Sequence, residues 1–532
     1  MQIVSRPAFD LTRTMQEAAA AVSADELDHA TRLLSLAGTH RPNRPDIFAA
    51  LARVQLKKSD LAAHDVALER AIALDPGNGA YRIRAAIACP PMMTTTAEID
   101  RVRTRALDRL AALQAAPGRW RVADPQLEIP TLTYYFVYHG KDDRELNSRL
   151  ASVLRSAHPA LAGVAPHCRA PYHPTAGPIR LGILSTYLRD HTIGCLFSGL
   201  IEKLDRRRFR RVLIFSEADL DARSVALAEA AGDEVVLIPR RLDRARAIVA
   251  GLKLDLLWYP DLGMDSLTVY LAHARLAHAQ VTTWGHPNTT GIPTVDAFLS
   301  LDAMEPERAD PPYTERLLCQ PKANLYYTPT RLASRASRAA VGLPAAGNLY
   351  GCPQTLFKFH PDYDAVLCGI VAQDPQAVLV LHQGRTRRWR EHLLARLEAK
   401  QPGISRRIHW VTGMPRGQYI SMLSAFDVML DPYPFGGGNT TLEALAVGTP
   451  VVTLPPRLSR GRLAAAFYGQ LGWTDAIAKS PEDYVSIAVR LGSDPVARAR
   501  ASAAIRAADH RLFAVEDGVR QFEGLLETAL RG

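Results

Sequence analysis

The chain has no apolar run of the roughly eighteen residues that a membrane-spanning helix needs, and no lysine placed as in a phosphate-binding GxxxxGK[ST] loop. Its six cysteines, Cys89, Cys168, Cys195, Cys319, Cys352 and Cys368, show no paired spacing. That pattern argues for a reducing compartment and against a zinc site. Met1 to Ala20 carries Arg6, Asp10, Arg13 and Glu17, so no signal-peptide core is present. These absences predict a cytoplasmic protein without a membrane span. Asp-x-Asp spacing occurs at Asp219-Leu-Asp221 and Asp362-Tyr-Asp364, but neither pair closes a buried strand. Both are read as solvated, and no metal is expected.

What is present is ordinary in composition and rich in sequence detail. The 532 residues are 47% hydrophobic and 22% charged, which suits a soluble globular chain of about two to four domains. The net charge is +10 and the pI about 9.3. The arginines are dispersed, apart from the dense run Arg206-Arg-Arg-Phe-Arg-Arg211, which is read as a solvated loop. No nucleic-acid partner is expected, and a basic field suits an anionic nucleotide.

The first hundred residues are rich in Ala and Leu with helical periodicity. Asp25 to Ala37 leads to Pro42, and Asp60 to Ala71 leads to Pro76 with the same pattern. Leu33/Ala67, Leu34/Leu68, Ala37/Ala71 and Pro42/Pro76 fall 34 residues apart, the period of tetratricopeptide repeats. A looser third unit runs to about Pro117, and a plain helical bundle is the alternative. Pro166 to Pro178 marks a boundary, after which strand-like runs alternate with helical patterns. They predict strands at 179–184, 211–215, 234–238, 254–258, 280–284 and 297–300. A second series is predicted at 349–350, 377–381, 408–411, 428–430 and 451–454. Such alternation implies two parallel sheets, with ligands bound at the carboxyl ends of the strands.

The most informative segment runs from Asp431 to Thr453. A mostly apolar run ends in a Gly-rich turn, and Gly438, Asn439, Thr440 and Thr441 lead into a short helix that Gly448-Thr449-Pro450 stops. Such a turn aims N–H groups and hydroxyls at an anion. Glu443, near the helix start, suits a ribose diol beside a diphosphate. With no phosphate-loop lysine, the ligand that fits is a nucleotide-sugar. An ordinary Gly-rich strand-to-helix loop is the alternative.

Gly351-Cys-Pro-Gln-Thr-Leu-Phe-Lys-Phe-His-Pro361 follows the first strand of the second series. Lys358 there reads either as a cation against a departing diphosphate or as a snorkelling surface lysine. Met414-Pro-Arg-Gly-Gln-Tyr419 follows another strand, where Tyr419 suits stacking on a base. In the first series, Ser185 to His191 and Trp284-Gly285-His286 to Gly291 follow strands. Their histidines are either cleft groups or satisfied structural residues.

With these motifs in view, the chain resembles bacterial members of the O-GlcNAc transferase family. The resemblance is weak over about 25–115 and good over 178–530. It implies a GT-B fold, two Rossmann-like α/β domains flanking a cleft, preceded by all-α tetratricopeptide-like repeats. The boundaries expected are 1–125 for the repeats, 126–177 for a helical connection and linker, 178–335 for the acceptor-side domain, and 336–532 for the nucleotide-sugar domain with its terminal helix. The resemblance places the family's nucleotide lysine on Lys358 within Gln354-Thr-Leu-Phe-Lys-Phe-His-Pro, and its ribose carboxylate on Glu443. Its threonine pair falls on Asn439 and Thr440, its base-stacking position on Tyr419, and a neighbouring lysine on Arg416. His191 matches the histidine after the first strand, and Gly285 a loop residue near the sugar. Asn439 with Glu443 is also similar to bacterial cytoplasmic N-glycosyltransferases. Gly438 stands where the animal enzymes have a histidine, and a second first-domain histidine falls on Asp233 or is shifted.

The expected catalytic residues are His191 and Lys358. The expected nucleotide-sugar set is Gly285, His286, Gln354, Lys358, Met414, Arg416, Tyr419, Gly438, Asn439, Thr440, Thr441 and Glu443. The expected reaction is inverting, metal-independent transfer of GlcNAc or another hexose from a UDP-sugar to a protein side chain, with no resident cofactor. The rivals are a UDP-sugar epimerase on the same fold and a repeat scaffold with a non-catalytic transferase half.

Overall fold

Among the described residues, six helices come first, and the first four obey the period in the sequence. They are α1 (Leu11–Ser23), α2 (Leu27–His40), α3 (Pro45–Lys57), α4 (Leu61–Leu74), α5 (Gly79–Ala86) and α6 (Thr96–Gln114). Both bounds of α3 lie 34 residues beyond those of α1, and both bounds of α4 lie 34 beyond those of α2. The computed structural model describes residues 9–174, 177–306 and 310–532. The reading of Met1 to Ala20 therefore falls partly outside the described residues.

Side chains cap the starts of α1, α4 and α6. The Asp10, Asp60 and Thr95 side chains accept the N–H of Arg13, Ala63 and Glu98, the usual satisfaction of an orphan helical donor. Asp25 and Ser59 end their turns with φ of 60° and 62°, a left-handed stop repeated at the same interval. Leu34, Ala37, Leu68 and Ala71 are all buried. The small alanines let helices pack closely, and Asp65 is clamped by Arg105 (2.8 Å) and Arg109 (3.0 Å).

The chain divides into two compact units. The described residues up to Tyr135 together with Ser152–His158 form one, and Phe136–Ala151 with Pro159–Gly532 form the other.

The second unit holds two parallel sheets. The first comprises β1 (Ile179–Leu184), β2 (Phe209–Ser216), β3 (Glu234–Ile238), β4 (Leu254–Tyr259), β5 (Ala277–Thr283), β6 (Ala297–Leu301) and β7 (Arg316–Gln320), in the order β3-β2-β1-β4-β5-β6-β7. The second comprises β8 (Asn348–Cys352), β9 (Ala377–His382), β10 (Ile408–Val411), β11 (Val428–Leu430) and β12 (Val451–Val452), ordered β10-β9-β8-β11-β12. All named pairings are parallel. Strand order reverses between β1 and β4 in one sheet and between β8 and β11 in the other, and these switch points open the crevices where ligands bind. The strand β7 has no counterpart in the sequence reading, because Arg316-Leu-Leu-Cys-Gln320 is short and opens with a charge.

Two charged features depart from expectation. The run Arg206 to Arg211 is not a solvated loop. Its second half enters β2, and Arg211 is 0% exposed, with its guanidinium on Asp233 at 3.1 Å and on the carbonyls of Ile201 and Glu202. Arg208 reaches Glu523 (2.5 Å) and Glu527 (2.7 Å) on the last helix, Glu516–Arg531. That helix packs back on β4, β5 and β7 of the first sheet, so the chain recrosses after completing the second. Asp233 thus serves an ion pair at the amino end of β3, remote from the crevice. Asp364 is likewise buried and paired with Arg396 at 2.6 Å, whereas Asp362 is exposed. Asp219 pairs with Arg240, and Asp221 caps the helix Ala222–Ala231.

Candidate active site

At the switch point of the second sheet, the loops after β8 and β11 meet. Pro353 to Lys358 follows β8 and ends in the single turn Leu356–Lys358. Lys358 Nζ donates to Gln354 Oε1 (2.9 Å) and to the carbonyl of Gly436 (3.1 Å), and lies 4.9 Å from the centre of the Phe435 ring. Burial draws its ammonium down to about 8, with Asp431 pulling the other way. It remains charged at neutral pH and is not a snorkelling surface lysine.

Asp431 closes β11 beneath the Gly-rich turn. It accepts the Gly437 N–H (2.6 Å) and the Thr453 hydroxyl (2.8 Å), and burial raises its carboxyl to about 6. A Cβ at Gly436 would stand 2.8 Å from its Oδ2, so the turn tolerates little but glycine there. Gln354 is 5% exposed, and its Nε2 has no partner among the described residues. A Cβ at Gly437 would lie 2.7 Å from that nitrogen. An unspent buried donor beside the turn is a group that a phosphate oxygen would satisfy.

The helix Asn439–Ala446 starts at Gly438 without any side-chain cap, so its first N–H groups are left for a ligand. Gly448, at φ +76°, ends it in the left-handed conformation. The three polar residues at its start divide their labour. Thr441 is 0% exposed and its hydroxyl donates back to the Gly437 carbonyl (2.9 Å), so it shapes the turn. Thr440 keeps its side chain half-buried beside the Tyr419 hydroxyl, and Asn439 accepts from the Tyr327 hydroxyl at 3.0 Å.

Glu443 is 5% exposed and burial raises its carboxyl, with Arg416 opposing across 2.8 Å. Arg416 also donates to the Tyr327 hydroxyl (3.1 Å) and to Cys195 Sγ (2.7 Å), which begins the crossing to the first sheet. Tyr419, in the first turn of the helix Arg416–Ala425, has its hydroxyl raised by burial. Met414, half-buried, lies between β10 and that helix. The structure therefore brings Gln354, Lys358, Arg416, Tyr419, Asn439, Thr440 and Glu443 around one switch point.

The first-sheet crevice has a different character. His191 caps the helix Thr192–Lys203, its Nδ1 accepting the Ile193 N–H at 3.2 Å, and its ring packs 4.5 Å from Tyr187. Burial, helped by Arg189 and Arg385, lowers it to about 4. A neutral ring whose Nδ1 accepts carries its proton on Nε2. Gly285 is a close-packing position, since a Cβ would meet the Pro260 carbonyl at 2.3 Å. His286 is buried, lowered to about 4 by burial and then by Arg460, and sits against Gly263. Asp261, between β4 and Gly263, is 3% exposed and bonded to Ser185, with burial raising it to about 7.

Sequence reasoning gave no role to Tyr327, Cys195, Asp431 or Asp261. Residues 136–151, within the stretch 126–177 expected to be a helical connection and linker, brace the loops of the second unit. Tyr138 packs 4.6 Å from both Phe357 and Phe435, and Asp143 pairs with Arg460 at 2.8 Å with both side chains buried. Asn147 donates to the Thr289 carbonyl (2.8 Å) after β5. Of these, Asp431 had a visible signal, an acid ending an apolar strand before glycines.

Comparison with known proteins agrees with this geometry. Residues 327–521 match the model of glycosyl transferase family 41. A Petunia hybrida protein described as a probable UDP-N-acetylglucosamine–peptide N-acetylglucosaminyltransferase, SPINDLY, is 29% identical over 227 residues, covering 41% of this chain and 24% of that protein. A UDP-glucose:protein N-beta-glucosyltransferase of Actinobacillus pleuropneumoniae serotype 7 is 26% identical over 269 residues, covering 50% and 42%. The chain thus spans about a quarter of the plant relative and two fifths of the bacterial one. An O-GlcNAc transferase mutant of Thermobaculum terrenum superposes with a TM-score of 0.68 at 22% identity, covering 98% of both chains. The fold is therefore that of the O-GlcNAc transferase-like glycosyltransferases, with helical repeats before a GT-B pair of sheets. No helix among the described residues is long and apolar enough to cross a membrane.

Proposed function

We propose that the chain is an inverting, metal-independent glycosyltransferase that moves a hexose from a UDP-sugar to a protein side chain in the cytoplasm. The observation that carries this reading is the pairing, at one switch point, of Lys358 with an uncapped helix start and of Glu443 with Arg416. The first pair suits a diphosphate and the second a ribose. Tyr419 would stack on the uracil.

In the proposed step, the acceptor attacks the anomeric carbon from the face opposite the diphosphate. The bond from that carbon to the diphosphate oxygen breaks, its electron pair leaves with UDP, and the proton given up by the acceptor passes to solvent. Lys358, the Gln354 amide and the first N–H groups of Asn439–Ala446 would stabilise the charge developing on that oxygen, which needs no divalent cation. With Nδ1 spent on the Ile193 N–H, His191 enters as a donor through Nε2 and not as the base. The names of the relatives specify both UDP-N-acetylglucosamine and UDP-glucose, so both donors belong in the test.

The test incubates the purified chain with each UDP-sugar, with EDTA present, in a lysate lacking the protein, and reads modified side chains by mass spectrometry. Hexose or N-acetylhexosamine on protein, undiminished by EDTA, is the expected result. Sugar interconversion without acceptor would establish the epimerase instead, and failure to bind UDP the scaffold. Loss with EDTA and rescue by manganese would overturn metal independence.

A further inference from the structure

The first unit contains a cavity of about 230 Å³ that the transferase reading does not use. Arg53 on α3, Arg84 and Tyr81 on α5, and Leu127 line it. Arg84 is half-buried, and its one hydrogen bond among the described residues goes to the Ala49 carbonyl, at 2.9 Å. Burial, reinforced by the neighbouring charge of Arg53, lowers its guanidinium to about 10, which still leaves it charged. Arg53 is exposed and has no ion pair or side-chain hydrogen bond among the described residues.

The acids that share the cavity are already engaged. Asp46 is held by Arg44 at 2.8 Å, and Glu128 accepts the Asp124 N–H at 2.7 Å. Asn78 spends its oxygen on the Ala80 N–H. Asp46 and Glu128 share the lining, but neither forms an ion pair with Arg53 or Arg84, so both guanidinium groups keep donors free toward the concavity. On the rim, Leu127 is 75% exposed, large for an apolar side chain in a four-residue helix, Pro125–Glu128.

We infer that this cavity is a docking site for an acidic segment of a polypeptide, with a carboxylate side chain between Arg53 and Arg84 and an adjoining apolar residue on Leu127 and Tyr81. Charge complementarity selects the carboxylate, because paired arginines match its planar fork. The apolar rim selects a chain over a small anion. That the segment belongs to the sugar acceptor rests on the proposed transfer. The binding itself does not.

The probe is a short fluorescein-labelled, amidated peptide with two glutamates flanked by leucines, titrated with the full chain and read by anisotropy. Its glutamine counterpart, inorganic phosphate and free glutamate serve as competitors. The glutamate peptide is expected to bind, and Arg53→Ala and Arg84→Met each to weaken it by roughly tenfold or more. Arg32→Ala, the same charge change on the exposed face of α2, should leave binding within twofold. UDP affinity, measured by calorimetry, should be unchanged in Arg53→Ala, so this site and the transferase reading fail separately. No binding, equal binding of the glutamine peptide, full displacement by millimolar phosphate, or an unaffected Arg53→Ala would each overturn the inference. If Arg84→Met loses its folded circular dichroism spectrum, exposed Arg53 still decides the outcome.

Discussion

The two switch points of the second unit bury different kinds of group. At β8/β11, burial surrounds a charge that persists, with Lys358 lowered only to about 8 while resting against Gln354 and the Gly436 carbonyl. At β1/β4, burial keeps His191 and His286 neutral, at about 4, and holds Asp261 partly protonated, at about 7. On the proposed function, the first of these crevices would receive the diphosphate and the second would align the sugar and its acceptor. In an enzyme that expels a diphosphate, electrostatic work belongs to the leaving-group side.

The largest blow to this contrast is expected from Lys358→Ala. Removing one preorganised donor from a developing oxyanion costs about 3 kcal/mol, roughly a hundredfold in turnover. The chain should stay folded, with some fall in melting temperature because Gln354 Oε1 and the Gly436 carbonyl lose their donor. Turnover within a few fold of wild type would remove the charge asymmetry between the crevices.

Asp431→Ala comes next. It strips the Gly437 N–H and the Thr453 hydroxyl of their acceptor, and stranded buried donors cost about 1–3 kcal/mol. Both the melting temperature and the UDP affinity should fall, because the same turn carries stability and ligand contacts. A variant that loses stability but binds UDP normally would separate the turn from the site.

Asp261→Asn sharpens the other side. Its carboxyl is raised from 3.8 to about 7 by burial, so the folded chain keeps a proton that the unfolded chain releases. Between pH about 4 and 7 the folded state binds more protons, and stability from this group is greatest below that window and declines through it. The asparagine lacks this dependence. Relative to wild type, its melting temperature should rise between pH 4 and pH 7 and then hold constant. A flat difference across that range would mean that Asp261 is ionised in the fold and that the first crevice is charged after all.

How far these crevices could be read from sequence follows from the same contrast. The repeat period, the strands around the switch points and the Gly-rich turn rest on local spacing, and the structure realises them almost residue for residue. Lys358, Asn439 and Glu443 were visible because they stand within a few residues of a strand end or helix start. Tyr327, Cys195 and residues 136–151 were not, because their role arises from contacts across long chain separations, as in Cys195 with Arg416. Arg211 misled for a related reason. A basic run looks solvated until a distant acid, here Asp233, is folded onto it.

The smallest expected effect concerns His191 and asks whether the first crevice works through its ring or its cap. The Nδ1 acceptor satisfies the Ile193 N–H at the start of Thr192–Lys203. Asparagine is among the best residues at that position and alanine among the poorest, so His191→Ala should cost about 1 kcal/mol and His191→Asn close to none. Thermal melts of the two variants therefore measure the cap alone. Turnover then reads the ring, since Asn restores the cap but not Nε2–H. If His191→Asn keeps both the melting temperature and turnover within a few fold, the residue is a helix cap and nothing more, and alignment on the acceptor side belongs to other groups. If it keeps the melting temperature and loses turnover while binding UDP normally, the ring acts on the sugar or the acceptor. In that case the neutral crevice takes part in the chemistry without supplying charge.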